Sequence, residues 1–236
     1  MPVGIPKVPF LIPKDEAATW VDIYNRLHRE RCLFLCQPLD FEITNNLVGL
    51  LVFLTREDMT RNQFLFIHCR GGWVLCGMGL FDMMRGVPPY VFTLSIGLAY
   101  SMGSLVLTGG EKGERIAFPH GRVMMHQPIS SYIGPEIGEV YGEGDEFLTI
   151  RNHVIHLYTQ TTGHTFAVIY RDIHRDGFMS PKEAKDHGIV DAVGLDMPLG
   201  KWQKMRLFRP ALPPGYVWEL GGSWRKEESD EISSDH

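Results

Sequence analysis

Hydrophobic and polar positions along this chain switch repeatedly between helically spaced stretches and short continuous apolar runs. From Phe41 to Asp58, "FEITNNLVGLLVFLTRED", apolar residues recur at helical spacing and put Leu47, Leu50, Leu51 and Leu54 on one face. The short apolar runs "CLFLCQ", "QFLFIH" and "PYVFTLSIG" lack that spacing and read as buried strands. "VLCGMGLFDMMRG" returns to helix, and "ATWVDIYNRLHRER" nearer the start also has helical spacing. "ERIAFPHGRVMMHQP" predicts two short strands around a turn at Pro119 to Gly121. A longer helix comes next, from about Glu146 to Thr161, and Gly163 terminates it. In "MSPKEAKDHG", Ser180 can cap a helix, Pro181 suits its first position, Glu183 completes a capping box and Gly188 can close the far end. "IVDAV" is a last strand. Strands alternating with helices predict an α/β domain built on a parallel sheet.

Outside this body the pattern fails. The opening "MPVGIPKVPFLIP" carries four prolines and makes a Pro-rich arm over residues 1–18. Those prolines forbid a helical apolar stretch, so no targeting segment is expected there; either the protein works in the compartment that makes it or a presequence has been removed. The domain proper is expected over 19–196. A C-terminal extension, 197–236, mixes Pro, Gly and aromatics without a period and ends in the charged "RKEESDEISSDH", which reads as partly disordered.

Composition narrows the function. The 236 residues are 44 % hydrophobic and 22 % charged, enough for one domain with a substantial core. A net charge of −5 lacks the footprint of a nucleic-acid binder, and the longest apolar run, "LVGLLVFL", is too short to span a bilayer. Cys32, Cys36, Cys69 and Cys76 are spaced C-x3-C and C-x6-C, which match no strong zinc signature; free buried thiols are expected.

The chemistry gathers where "LSIGLAYSMGSLVL" passes from strand to helix at Ser101. A serine there is an ordinary N-cap, but a strand–turn–helix junction can also present a nucleophile. The Met102 N–H then lies at a helix N-terminus, where free donors favour an anion. "CRGGW" ends the neighbouring strand in Gly71-Gly72, whose backbone can approach a ligand closely. Two N–H groups from different loops are what an oxyanion hole needs. Among the ten histidines, His126 ends an apolar strand directly before a loop and is the best placed as a base. Asp172 and Asp176 are both available to orient it, and either can equally be a surface charge.

Three blocks in this order, "GLAYSMGS", "RVMMHQP" and "HRDGFMSPKEAKDHGIVD", closely resemble the catalytic blocks of the Clp protease proteolytic subunit family of serine peptidases. "MPVGIPKVPF" and "WVDIYNRLHRER" resemble its plastid-encoded type, and the likeness runs from about Met1 to Asp196. The resemblance implies Ser101 as nucleophile, His126 as general base, Asp176 rather than Asp172 as the orienting acid, and the N–H groups of Gly72 and Met102 as the oxyanion hole. It implies the crotonase-like Clp protease fold of repeated β-β-α units, with the helix after His126 as a protruding handle and the N-terminal arm in the axial region. It further implies two stacked heptameric rings shared with other active and inactive subunits, AAA+ chaperones that deliver unfolded polypeptide, and residence in the chloroplast stroma. Arg175 would belong to the ring contact. Phe64 and Phe66 resemble a chaperone-docking surface, though they read equally as buried strand residues. No metal or cofactor is implied, and the chain carries no nucleotide-binding G-x-x-x-x-G-K-[ST] loop.

Two departures stand beside the nucleophile. Cys69-Arg70-Gly71-Gly72 replaces the family's S-P-G-G, and Tyr100 replaces a common alanine, a large increase in volume at what is expected to be a packed junction. They leave room for a catalytically silent ring subunit. An acyl-CoA enzyme of the same superfold, which also uses paired backbone N–H groups, is a further alternative.

Overall fold

One ten-residue strand organises the domain. The structure, a computed structural model, describes residues 4–10, 19–129, 137–194, 216–218 and 224–226. Its central strand β5, Val91–Tyr100, lies parallel to β4, Gln63–Cys69, which in turn lies parallel to β3, Cys32–Leu35. On its other side β5 serves two partners in succession. Thr93 to Ser95 pair with β6, Arg115–Ala117, and Leu98 to Tyr100 pair with β7, Arg122–Met124. β8, Phe178–Met179, runs antiparallel to β7, and β9, Ala192–Val193, runs parallel to β6. The expected strand–helix alternation and parallel sheet are both present.

The helices obey their patterns. In α2, Phe41–Glu57, the Asp40 carboxylate accepts a hydrogen bond from the Ile43 N–H at the N-terminus, and Leu47, Leu51 and Leu54 are buried. The far end is held by a buried arginine: the Arg31 guanidinium donates to the Leu54 carbonyl at 2.7 Å and the Arg61 carbonyl at 3.0 Å. α3, Val74–Gly86, has the span its periodicity predicts, and α4, Met102–Thr108, is buried along its whole length. α7, Pro181–Asp186, starts with both hydrogen bonds of the capping box.

α5, Ile137–Thr162, is longer than its pattern predicts. Tyr141 is 75 % and Leu148 48 % exposed, whereas Val154, Ile155 and Tyr158 are buried, so the helix meets the domain through its C-terminal half. A mixed apolar and polar first half carries little periodicity, which is why only the packed half is legible in the sequence.

Other expectations change. "ATWVDIYNRLHRER" is helical only from Ile23, as α1, Ile23–Arg29. Thr19–Asp22 forms β2, antiparallel to β1, Lys7–Phe10, because Thr, Trp and Val favour strand and Asp22 caps α1 by accepting the Tyr24 N–H at 2.7 Å. α6, Phe166–Ile173, and β8 are too short for periodicity to reveal. "IVDAV" pairs only at Ala192–Val193, because Asp191 turns its carboxylate onto Arg115 at 2.7 Å and 2.8 Å. Cys32, Cys69 and Cys76 are buried free thiols as expected, but Cys36 is exposed.

The chain divides into two compact units. Leu27–Met197 holds the sheet just described. Met1–Arg26 together with Pro198–His236 forms the other, containing the β1–β2 ladder and an antiparallel pair of β10, Tyr216–Trp218, with β11, Trp224–Lys226. The expected disorder of the extension falls, apart from these two strands, outside the described residues.

Candidate active site

Sheet register brings the three expected side chains to one end of the sheet. Tyr100 of β5 pairs with Met124 of β7, and Met124 pairs with Phe178 of β8. Ser101 succeeds Tyr100, His126 lies two residues past Met124, and Asp176 lies two residues before Phe178 on an antiparallel strand. All three therefore leave the sheet on the same side. The His126 Nδ1 and Asp176 Oδ1 atoms are joined by a short hydrogen bond. Asp172 is committed elsewhere, accepting from the Arg171 Nε at 3.2 Å and lying 3.0 Å from His187 Nε2. Burial pushes the Asp172 carboxyl up, but these hydrogen bonds outweigh it and hold the group below its usual range.

Ser101 occupies the N-cap position of α4, yet its side chain makes no capping hydrogen bond. Its φ of 52° and ψ of −124° are unusual for a residue with a Cβ, a strain of about 1–3 kcal/mol. A serine that merely capped would adopt extended backbone and bond to the helix. Among the described residues the Ser101 hydroxyl has no hydrogen bond to His126 either. Asp176 also has a positive φ, 49°, which aspartate tolerates better than most residues.

The Gly71-Gly72 turn lies directly against this junction. A Cβ on Gly71, whose φ is 94°, would fall 2.8 Å from the Ser101 Cβ and 3.2 Å from the Met102 nitrogen. Gly72 forms a parallel bridge with Leu39: Leu39 N–H donates to the Gly71 carbonyl at 2.9 Å, and Trp73 N–H donates to the Leu39 carbonyl at 3.0 Å. In that arrangement the N–H of Gly72 itself points away from Leu39. Met102 N–H, at the first helical position, has no acceptor within its helix. Two backbone donors that neither the bridge nor the helix uses thus stand on adjacent loops beside a serine, an arrangement able to stabilise an oxyanion.

The other candidates fall in different settings. Phe64 is 7 % exposed and meets Phe92 edge-on, whereas Phe66 keeps a partly exposed face and stacks on Phe34 at 5.2 Å. Arg175 is exposed and lines a cleft of about 310 Å³ with Asp172, Phe178 and His187. Arg70 is exposed to solvent. Tyr100 does not crowd a packed junction, because its half-buried ring lies edge-on to the exposed Phe178 at 5.2 Å. Among the described residues no cluster of three or more His, Cys, Asp and Glu side chains can hold a metal ion.

Two groups near the site have no local signal in the sequence. Ser104 Oγ, one turn after Ser101, lies 2.7 Å from the Ser101 carbonyl, 2.9 Å from the Met124 carbonyl and 2.7 Å from the Tyr158 hydroxyl. Ser104 reads as a helical serine, and Tyr158 arrives from α5, 54 residues further along the chain. Leu39, which fixes Gly72, is equally silent in sequence.

The Clp protease family model matches residues 14–196. A protein from Acorus calamus named ATP-dependent Clp protease proteolytic subunit is 56 % identical over 82 % of this chain and 96 % of its own length. Proteins of the same name from Illicium oligandrum and Nuphar advena are 53 % and 54 % identical, each over 83 % of this chain and 97 % of theirs. With an α/β domain on a parallel sheet, a family match that spans it, and relatives above half identity across nearly their full length, the chain belongs to the Clp protease family.

Proposed function

We propose that this chain is a working serine endopeptidase subunit of a plastid ATP-dependent Clp protease, with Ser101 as nucleophile, His126 as general base and Asp176 as the acid that orients it. The observation that carries this reading is the His126–Asp176 hydrogen bond at the sheet end where Ser101 is held in a strained, uncapped conformation. Ser101 Oγ attacks the scissile carbonyl while His126 removes its proton, and Asp176 stabilises the imidazolium. The tetrahedral oxyanion is met by the N–H groups of Gly72 and Met102. His126 then protonates the leaving amine, and water attacks the acyl-enzyme by the same route in reverse.

The relatives' shared name supports assembly with Clp ATPases, which would thread unfolded polypeptide to the site. In this reading the subunit sits in two stacked heptameric rings beside other active and inactive subunits, in the chloroplast stroma. Residues 1–18 line the axial region, 19–196 form the peptidase domain, and 197–236 are a peripheral extension. The stretch of α5 with the exposed Tyr141 and Leu148, together with Arg175, serves ring contact, and the partly exposed Phe66 with the buried Phe64 forms the chaperone-docking surface.

A second reading, a silent ring subunit, draws on one observation: the Ser101 hydroxyl lacks a hydrogen bond to His126 among the described residues. Fluorophosphonate labelling of the purified, assembled complex separates the two. An adduct located on Ser101 by mass spectrometry, and lost in Ser101→Ala, is the expected result. No adduct on this chain while neighbouring subunits label would make it architectural.

A further inference from the structure

A buried pair of hydroxyls spans the two segments that carry the nucleophile and the base. Ser104 Oγ touches both the carbonyl of Ser101 and the carbonyl of Met124, two residues before His126, and it contacts the Tyr158 hydroxyl at 2.7 Å. Tyr158 Oη also reaches the Ser101 carbonyl at 3.3 Å. Both side chains are buried, Ser104 at 0 % and Tyr158 at 1 % exposure, beside wholly apolar Leu105, Val106 and Leu107.

Counting protons shows what the pair does. Carbonyl oxygens only accept, and each hydroxyl has one proton. Ser104 alone has one proton, so its hydroxyl can donate to only one of the two carbonyls at a time. With Tyr158 present, the two protons serve both: Ser104 donates to Met124 while Tyr158 donates to Ser101, or Tyr158 donates to Ser104 and Ser104 bridges the carbonyls. In the first arrangement two touching hydroxyls hold one carbonyl each, and in the second Ser104 Oγ alone ties the nucleophile's backbone to the strand leading to His126. Burial pushes the Tyr158 hydroxyl far above its usual range, so it stays protonated and remains a donor. Ser101 N–H donates to the same Met124 carbonyl at 2.9 Å, so the two strand ends are fastened from both sides.

We propose that Ser104 and Tyr158 are positioning residues that fix the separation of Ser101 and His126, and that through Tyr158 the packed half of α5 sets the reactivity of the nucleophile. This rests on the triad reading above. A hydroxyl pair needed only for stability would have no reason to bridge the two catalytic segments. A shift of a fraction of an ångström between nucleophile and base, in contrast, acts directly on the rate.

Tyr158→Phe removes only the hydroxyl, and Ser104→Ala removes the bridging oxygen without adding volume. Each variant chain is purified in the assembled complex, and fluorophosphonate labelling of Ser101 is measured against probe concentration, per assembled chain. The expected result is a maximal inactivation rate lower by about tenfold in each variant, with the probe concentration for half-maximal rate changed less than about twofold. The double variant should be little worse than either single one, because the two hydroxyls touch and act as one pair. A purely structural role would lower the amount of assembled chain and leave the rate per chain unchanged. Wild-type labelling kinetics in both assembled variants would overturn the positioning role alone. A wild-type chain that fails to label at Ser101 would overturn the triad reading, and this inference with it.

Discussion

Ser101 holds a backbone conformation that only its surroundings make tolerable. Its N–H is fixed to Met124, its carbonyl receives the first bonds of α4, and the face of its Cβ is met by Gly71 rather than by a larger residue. The same need for close approach governs the proposed oxyanion donors. A Cβ on Gly72 would lie 2.1 Å from the Leu39 carbonyl oxygen, and the residue's φ of 156° is itself unusual for an L side chain. Gly72→Ala must therefore displace the turn and carry its N–H away from the reacting carbonyl. With the triad intact, kcat on a fluorogenic peptide in the assembled complex should fall about 10²–10³-fold, the usual cost of one oxyanion donor. Activity within about threefold of wild type would remove Gly72 from the site.

At the scale of elements, each part of the site hangs on the end of a strand or the start of a helix. The α7 helix comes directly after β8, so its start helps to fix the segment that leads back to Asp176. Ser180 Oγ accepts the Glu183 N–H at 3.3 Å, and Glu183 accepts the Ser180 N–H at 2.7 Å. The bond from the Ser180 backbone, and after it the one from the Ser180 hydroxyl, holds the Glu183 carboxyl below its usual range. Ser180→Ala should cost about 1 kcal/mol, read as a lower urea midpoint with unchanged slope. An unchanged midpoint would mean that the capping box adds nothing to the stability of the fold.

Across the whole domain, one ion pair joins the two late strands to the helical layer. Arg115 is 3 % exposed; it bonds Asp191 through two nitrogens and donates to the Thr161 carbonyl of α5 at 3.0 Å. Burial pushes the Asp191 carboxyl up, but the hydrogen bonds and charge of Arg115 outweigh that and leave it below its ordinary value. A carboxylate whose folded pKa is depressed contributes stability above its unfolded value of about 4, and loses it as pH falls through the lower folded value. Asp191→Asn should destabilise the domain by about 3 kcal/mol at neutral pH, since it strands a buried guanidinium. The gap between wild type and variant in thermal or urea unfolding should narrow below about pH 4. A gap independent of pH would mean that Asp191 acts through packing rather than charge.

Much of this protein is determined by local sequence. Continuous apolar runs place β3 to β5, which are buried on both faces, and period-3.6 runs place α2 and α3, which bury one face each. The capping box and Gly163 mark helix boundaries through chemistry confined to a few residues. Motifs around Ser101, His126 and Asp176 identify the family. Sequence could not decide the pieces too short to carry a period, such as α6 and β8, or the first half of α5, whose Tyr141 and Leu148 stay exposed. Nor could the residues alone show that Ser101 makes no capping bond, or which of Asp172 and Asp176 meets His126. Those depend on register between strands distant in sequence, and on which group occupies each acceptor. Asp172 is taken by His187, Asp176 by His126, and the Ser101 carbonyl by a serine one turn away and a tyrosine on another helix. Local pattern specifies which surfaces are buried; only the packed structure specifies which polar groups meet, because a hydrogen bond is short and directional and its partner is chosen by position in space.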